Sequence, residues 1–116
     1  MNDLPQQILK GSLSAIILKL LSENEAMYGY EICQRVKEIT AGQMRVTEGA
    51  LYPALHKLEG EGILRTHTQQ VEGRTRKYYP IVPDQHGQAV SRLAQMHAFL
   101  DQLQQVLNPQ PNVRLT

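Results

Sequence analysis

Tryptophan is missing from this chain of 116 residues, phenylalanine and cysteine occur once each, and the net charge is only +1. Each scarcity removes a class of function. Cys33 alone rules out an internal disulfide and any metal centre built from several cysteines, and it reads as a small buried residue. With Phe99 the single phenylalanine, a stacking slot for flat aromatic compounds is not expected. No apolar run reaches membrane-spanning length, and the stretch from Met1 to Lys10 is polar and amide-rich, unlike a signal segment. A cytoplasmic protein without a membrane partner is expected. The four histidines are scattered, and neither a phosphate-cradling glycine loop nor a Ser-His-Asp or paired-carboxylate pattern occurs. No enzyme and no cofactor are expected.

What is present is an uneven charge distribution. Residues 1 to 34 carry two Lys/Arg against four Asp/Glu, residues 35 to 77 carry eight against five, and residues 78 to 116 carry two against two. The basic excess in the middle segment hints at a polyanionic partner. At this length one domain with one core is expected, burying roughly two thirds of the surface of the unfolded chain.

Leu13, Ile16, Ile17, Leu20 and Leu21 recur at helical spacing, with Ser12 as N-cap and Asn24 as stop, which predicts a first helix. Tyr28, Ile32, Val36 and Ile39 form a second stripe, closed by Thr40-Ala41-Gly42. Thr47 caps a third helix whose Leu51, Leu55 and Leu58 share one face before Gly60 and Gly62 end it. Residues 63 to 71 and 74 to 82, rich in Thr, Val, Ile and Tyr, read as a hairpin turning at Glu72-Gly73. A long helix is expected from about Asp84 to Leu107, ended by Pro109 and Pro111. Three helices followed by a ribbon is the order of a winged helix-turn-helix, in which the third helix enters the DNA major groove and the ribbon follows the backbone. The predicted fold is mainly α with a small β-hairpin. Residues 1–83 form the winged domain, 84–108 a C-terminal dimerisation helix and 109–116 a flexible tail.

Within the third helix, Pro53 is the unusual residue. It has no N–H, and its ring crowds the carbonyl of Gly49, which carries no side chain to add to the strain. Opposite the leucines lie Gly49, Pro53, His56 and Gly60, flanked by Tyr52 and Lys57. Glycine on an outward face lets a backbone come close to another molecule.

These residues resemble the PadR family of bacterial transcriptional regulators. The resemblance rests on Gly11-Ser12-Leu13, on Tyr28-Gly29-Tyr30-Glu31-Ile32, and on Glu48-Gly49-Ala50-Leu51-Tyr52-Pro53-Ala54-Leu55 with Leu58-Glu59 and Gly62-Ile63-Leu64. In the wing it rests on Gly73-Arg74 and Arg76-Lys77-Tyr78-Tyr79. It spans about residues 8 to 82, and the chain is similar in length to the short branch, with one C-terminal helix. The join from Ile81 to Gly87 is longer than the family's and lacks its Leu-Thr.

The resemblance implies a homodimeric repressor of neighbouring genes that binds double-stranded DNA at an inverted repeat. It also implies a small-molecule or other effector near the dimer interface that releases the DNA. Arg45, Thr47, Glu48, Gly49, Tyr52, Pro53, His56 and Lys57 are then expected at the DNA, with Arg74, Arg76 and Lys77 on the backbone or in the minor groove. Tyr52 and Lys57 suit phosphates, while His56 and Thr47 reach base edges; the helix has no Arg, Asn or Gln for bidentate base contacts. Strand alternation turns one of Tyr78 and Tyr79 inward.

Ala89, Leu93, Met96, Leu100, Leu103 and Leu107 are spaced 4, 3, 4, 3 and 4 apart, a heptad seam that predicts the dimer interface. Two alternatives accompany this reading. A winged-helix protein-interaction module would share the fold but has no need of three cations at the wing tip. Asp84-x-His86 with His97 is similar to the ligand spacing in the dimer helix of ArsR-type metal-sensing repressors, except that Leu100 stands where a fourth ligand belongs and Asp101 is displaced by one. No metal is assigned on that basis.

Overall fold

In the computed structural model, which describes residues 6–111, helix α1 (Gln6–Glu23) comes first, followed by a two-residue strand β1 (Met27–Tyr28) and helix α2 (Gly29–Ile39). Helix α3 (Glu48–Gly60), strands β2 (His67–Val71) and β3 (Arg74–Tyr79), a 3-10 turn (Pro83–Gln85) and helix α4 (His86–Leu107) complete the chain. The five first residues and residues 112–116, most of the expected tail, lie outside the described residues.

The first helix begins earlier than the Ser12 cap predicts. Leu9 is buried and extends the apolar stripe back by a turn, so packing carries the helix through Ser12, whose hydroxyl donates to the Ile8 carbonyl at 3.2 Å. Asn24 does stop it, with its side-chain amide donating to the Leu20 carbonyl at 2.8 Å. In α2, Ile32 and Val36 are buried as expected, but Ile39 is 59% exposed. It is the last residue of its helix, and Met44 and Val46 of the following turn reach the core in its place. That turn is tied by Thr40, whose hydroxyl donates to the Val36 carbonyl and accepts from the Met44 N–H, both at 2.9 Å.

Thr47 caps α3, its side-chain oxygen accepting from the Ala50 N–H at 3.1 Å. Leu51, Leu55 and Leu58 are fully buried against α1 and α2. Gly62, at φ +82°, takes the left-handed conformation that ends the helix, and the Ile63 N–H returns to the Leu58 carbonyl at 3.1 Å.

The hairpin turns where predicted, with Glu72 at φ 52° and Gly73 at φ 79°, the pair of positive angles a two-residue hairpin turn needs. Its regular strands are shorter than expected. Pro80 has no N–H to continue the ladder, and Ile63, Leu64 and Ile81 leave it to enter the core, keeping one isolated bridge between Leu64 and Ile81. The sheet gains a third strand that the sequence does not announce: β1 pairs antiparallel with β3, Met27 opposite Tyr79 and Tyr28 opposite Tyr78, in the order β1-β3-β2. Two residues are too few to show a period.

Pro83 opens the last segment as a 3-10 turn before α4 becomes regular at His86. The seam of α4 then divides. Ala89 is fully buried in the core of its own chain, which removes it from any interface with a second copy, and Leu93 packs partly against the same core. Further along, Leu100, Leu103 and Leu107 are 47%, 38% and 66% exposed, so α4 is rooted in the domain and leaves it as a stem. The described residues measure 65 × 38 × 20 Å.

Candidate nucleic-acid interface

Helix α3 turns its leucines inward and thereby turns Glu48, Gly49, Pro53, His56 and Lys57 to solvent, all of them exposed. The helix runs unbroken through Pro53, which leaves the Gly49 carbonyl without its donor four residues on. A Cβ built on Gly49 would meet nothing within 4 Å, so no neighbour among the described residues requires glycine there. Arg45 lies exposed just before the helix, its Nε donating weakly to the Gly42 carbonyl at 3.4 Å. Thr47 is exposed although its oxygen is engaged as the cap.

Tyr52 is held more firmly than the sequence implies. Its ring packs over Gly29 at the start of α2, where an added Cβ would lie 2.8 Å from the phenol oxygen and 3.1 Å from Cζ. The phenol donates to a Glu48 carboxylate oxygen at 3.3 Å, and burial first, then the Glu48 charge, pushes its pKa up. Behind it, burial and then Glu48 push the Cys33 thiol up to about 11. Cys33 is therefore a protonated thiol at neutral pH, although it is only partly buried against the core where the sequence reading expects it buried.

The three cations of the wing do not form one tip. Arg74 and Lys77 are exposed, whereas Arg76 is half-buried with its guanidinium carbon 4.4 Å from the centre of the Tyr28 ring. Its Nε is buried without a hydrogen-bond partner among the described residues. Tyr28 also meets Tyr78 edge-on at 5.3 Å, and His67 of β2 stacks on Tyr78 at 5.6 Å with the rings 9° apart. Tyr79, on the other face of β3, is fully buried, so the expected inward turn of one tyrosine falls to it. Lys77, on the same face as Tyr79, has its Nζ 6.0 Å from that ring's centre.

The aromatic layer of Tyr28, His67 and Tyr78 beneath the wing escapes sequence reasoning. Tyr28 falls on the apolar stripe of the second helix and is assigned there; the pairing of β1 with β3 is what carries it to the wing. The tyrosines either side of Gly29 are the available signal. Between the first turn of α3 and the wing lies an open cleft of about 440 Å³, lined by Tyr28, Tyr30, Glu48 and Tyr52 on one side and residues 74 to 77 on the other. Helix and wing thus present Lys57, His56, Arg74 and Lys77 to solvent beside a cleft that carries Arg76.

Asp84, His86 and His97, the residues of the metal alternative, are not gathered into a site within the one chain. Among the described residues no three of His, Cys, Asp and Glu come together to hold an ion. His86 and His97 stand eleven residues apart on one helix, roughly 16 Å along its axis. Among the described residues no helix is long and apolar enough to cross a membrane.

Comparison with known proteins agrees with this architecture. An uncharacterized protein of Lysinibacillus sphaericus is 36% identical over 75 residues, which cover 64% of this chain and 68% of that protein. Transcriptional regulator Rv3488 of Mycobacterium tuberculosis is 37% identical over 67 residues, covering 58% of this chain and 59% of the regulator. Among solved structures, a transcriptional regulator from Clostridium thermocellum superposes with a TM-score of 0.73 at 27% identity, covering 96% of this chain and 99% of that one. The profile of the Transcriptional regulator PadR-like family matches residues 17–92, from the middle of α1 through the wing into α4. With its three-helix core, its ribbon and this match, the chain belongs to the PadR-like family of winged-helix transcriptional regulators, proteins that act by binding DNA.

Proposed function

We propose that this regulator is a homodimeric repressor that binds an inverted-repeat operator and is released by a small ligand or another signal near its dimer interface. The observation that carries the reading is the outer face of α3, where Gly49, Pro53, His56 and Lys57 are all exposed and a Cβ at Gly49 would meet no described neighbour. That face meets the major groove. Lys57 contacts a phosphate, His56 lies near base edges, and Glu48 at the helix start suits the exocyclic amine of a cytosine. Thr47 and Tyr52 lie at the same edge but spend their polar atoms on the fold, Thr47 on the cap and Tyr52 on Glu48. Arg45, Arg74 and Lys77 follow the backbone, and Arg76, braced by Tyr28, presents its remaining donors from the cleft.

The dimer forms along the exposed part of α4. Leu93, Met96, Leu100, Leu103 and Leu107 continue one stripe, joined by Phe99 at 53% exposure and Val106 at 75%. A single helix stem in water is marginal, and a second copy supplies the missing contact. Residues up to 83 act as the DNA-binding unit and residues 84–108 as the dimer helix. The two α3 helices then enter successive major grooves about 34 Å apart.

Fluorescence anisotropy with the DNA upstream of the protein's own gene and a scrambled control, over a salt series, tests this reading. Tight, salt-dependent binding that prefers the native sequence is expected. Equal and weak binding to both DNAs at low salt would reject it.

A further inference from the structure

Three ion pairs occur among the described residues, and two of them are local: Lys19 with Glu23 within α1, and Arg35 with Glu38 within α2. The third joins distant parts of the chain. Arg92 of α4 pairs with Glu61 at 3.0 Å, and their side chains are only 31% and 34% exposed. Glu61 is the residue that terminates α3, its N–H bonded to the Lys57 carbonyl at 3.0 Å, so the carboxylate sits one turn beyond a cation of the DNA-facing surface. Arg92 is rooted equally well. It precedes Leu93, which packs on the core, and follows Ala89, which is fully buried, by three residues. Both ends of the pair are thus attached to rigid backbone.

The position of this pair in the architecture is particular. Helix α1 packs against both α3 and α4, and the Arg92–Glu61 bridge closes the third side of that triangle. We infer that the Arg92–Glu61 pair is a strut that sets the angle between the recognition helix and the dimer helix, and with it the half-site spacing that the dimer accepts. The inference rests on the dimeric, inverted-repeat reading proposed above. In a dimer joined through α4 an angular error at the root is magnified along the stem. A tilt of roughly 5° over an arm of ~22 Å, the length of the stem from Leu93 to Leu107, moves its far end by ~2 Å. That is more than half of the ~3.4 Å rise of one base pair, and two protomers each contribute it. A bridge of this exposure adds little to the stability of the fold, so its consequence is read in geometry. The planar guanidinium suits the role, because its fork holds a carboxylate in a restricted direction.

The test begins with in vitro selection from random duplex DNA by the native protein, which supplies an operator and, by altering the gap between its halves, a set of spacings from two base pairs shorter to two longer. The native protein is expected to prefer one spacing by at least about tenfold. Arg92→Gln and Glu61→Gln should each weaken binding at that spacing by about threefold and flatten the preference across the set. The double variant should be no worse than either single one, because both remove the same bridge. Sedimentation mass, helix content and affinity for an isolated half-site should be unchanged, which a general loss of structure would not allow. Single variants that keep the native spacing profile, or a double variant whose losses add, would overturn the strut while leaving the operator reading intact. Selection that returns no inverted repeat would overturn both.

Discussion

Two glycines in this chain, Gly29 and Gly49, have opposite reasons to be there. Gly29 makes room for Tyr52, and its replacement by alanine brings Cβ to 2.8 Å from the phenol oxygen. The expected loss is about 1 kcal/mol, because overpacking of a held ring exceeds the small gain in helix propensity at a first-turn position. Gly49 faces open space, so Gly49→Ala should raise stability by about 0.5 kcal/mol and yet weaken DNA binding, since the added methyl group stands on the face proposed to meet the groove. Thermal melts paired with anisotropy read both effects; a Gly49→Ala protein with undiminished DNA affinity would remove that residue from the interface. The cations separate in the same way. Lys57→Ala should lower the slope of log affinity against log salt by about one without changing the melting temperature. Arg76→Ala should do the same and also cost about 0.5–1 kcal/mol, because it uncovers the Tyr28 ring. Lys57 is legible from sequence as an exposed cation on a helix face. The brace under Arg76 is not, since its partner Tyr28 arrives from a strand 48 residues earlier.

At the scale of elements, caps and turns follow from local chemistry and lengths do not. Thr47 and the Glu72-Gly73 turn sit where the sequence places them, each decided by atoms within a few residues. Thr47→Ala is expected to cost about 1 kcal/mol and to fray the first turn of α3, seen as faster amide exchange at Ala50 than at Leu58. The start of α1 and the ends of the hairpin depart from the local signals because tertiary burial outweighs them. Leu9 draws α1 past Ser12, while Ile63, Leu64 and Ile81 leave the ladder for the core. Ile39 illustrates the reverse: it keeps the helical period but lies where α2 has run out of core to cover, and remains exposed.

At the scale of the whole molecule, the heptad seam changes meaning along its length. Ala89 belongs to the core of one chain, whereas Leu100, Leu103 and Leu107 are exposed and form the stripe proposed to receive a second copy. Leu100→Glu places a charge in the exposed part of the stripe and should halve the sedimentation mass and weaken operator binding by more than tenfold, with the winged domain still folded. A Leu100→Glu protein of unchanged mass would move the dimer contact elsewhere.

Composition, periodicity and a few turn residues by themselves determined the helix order, the leucine face of α3, the hairpin turn and the likeness to one family. All of these are properties of neighbours in the chain, read from spacing and from what proline and glycine permit. The third strand under the wing, the brace of Tyr28 on Arg76, the fit of Tyr52 on Gly29 and the bridge from Arg92 to Glu61 were decided only by the tertiary structure. Each joins residues more than twenty positions apart, and no local propensity records which of many possible partners the packing of a single core will bring within reach.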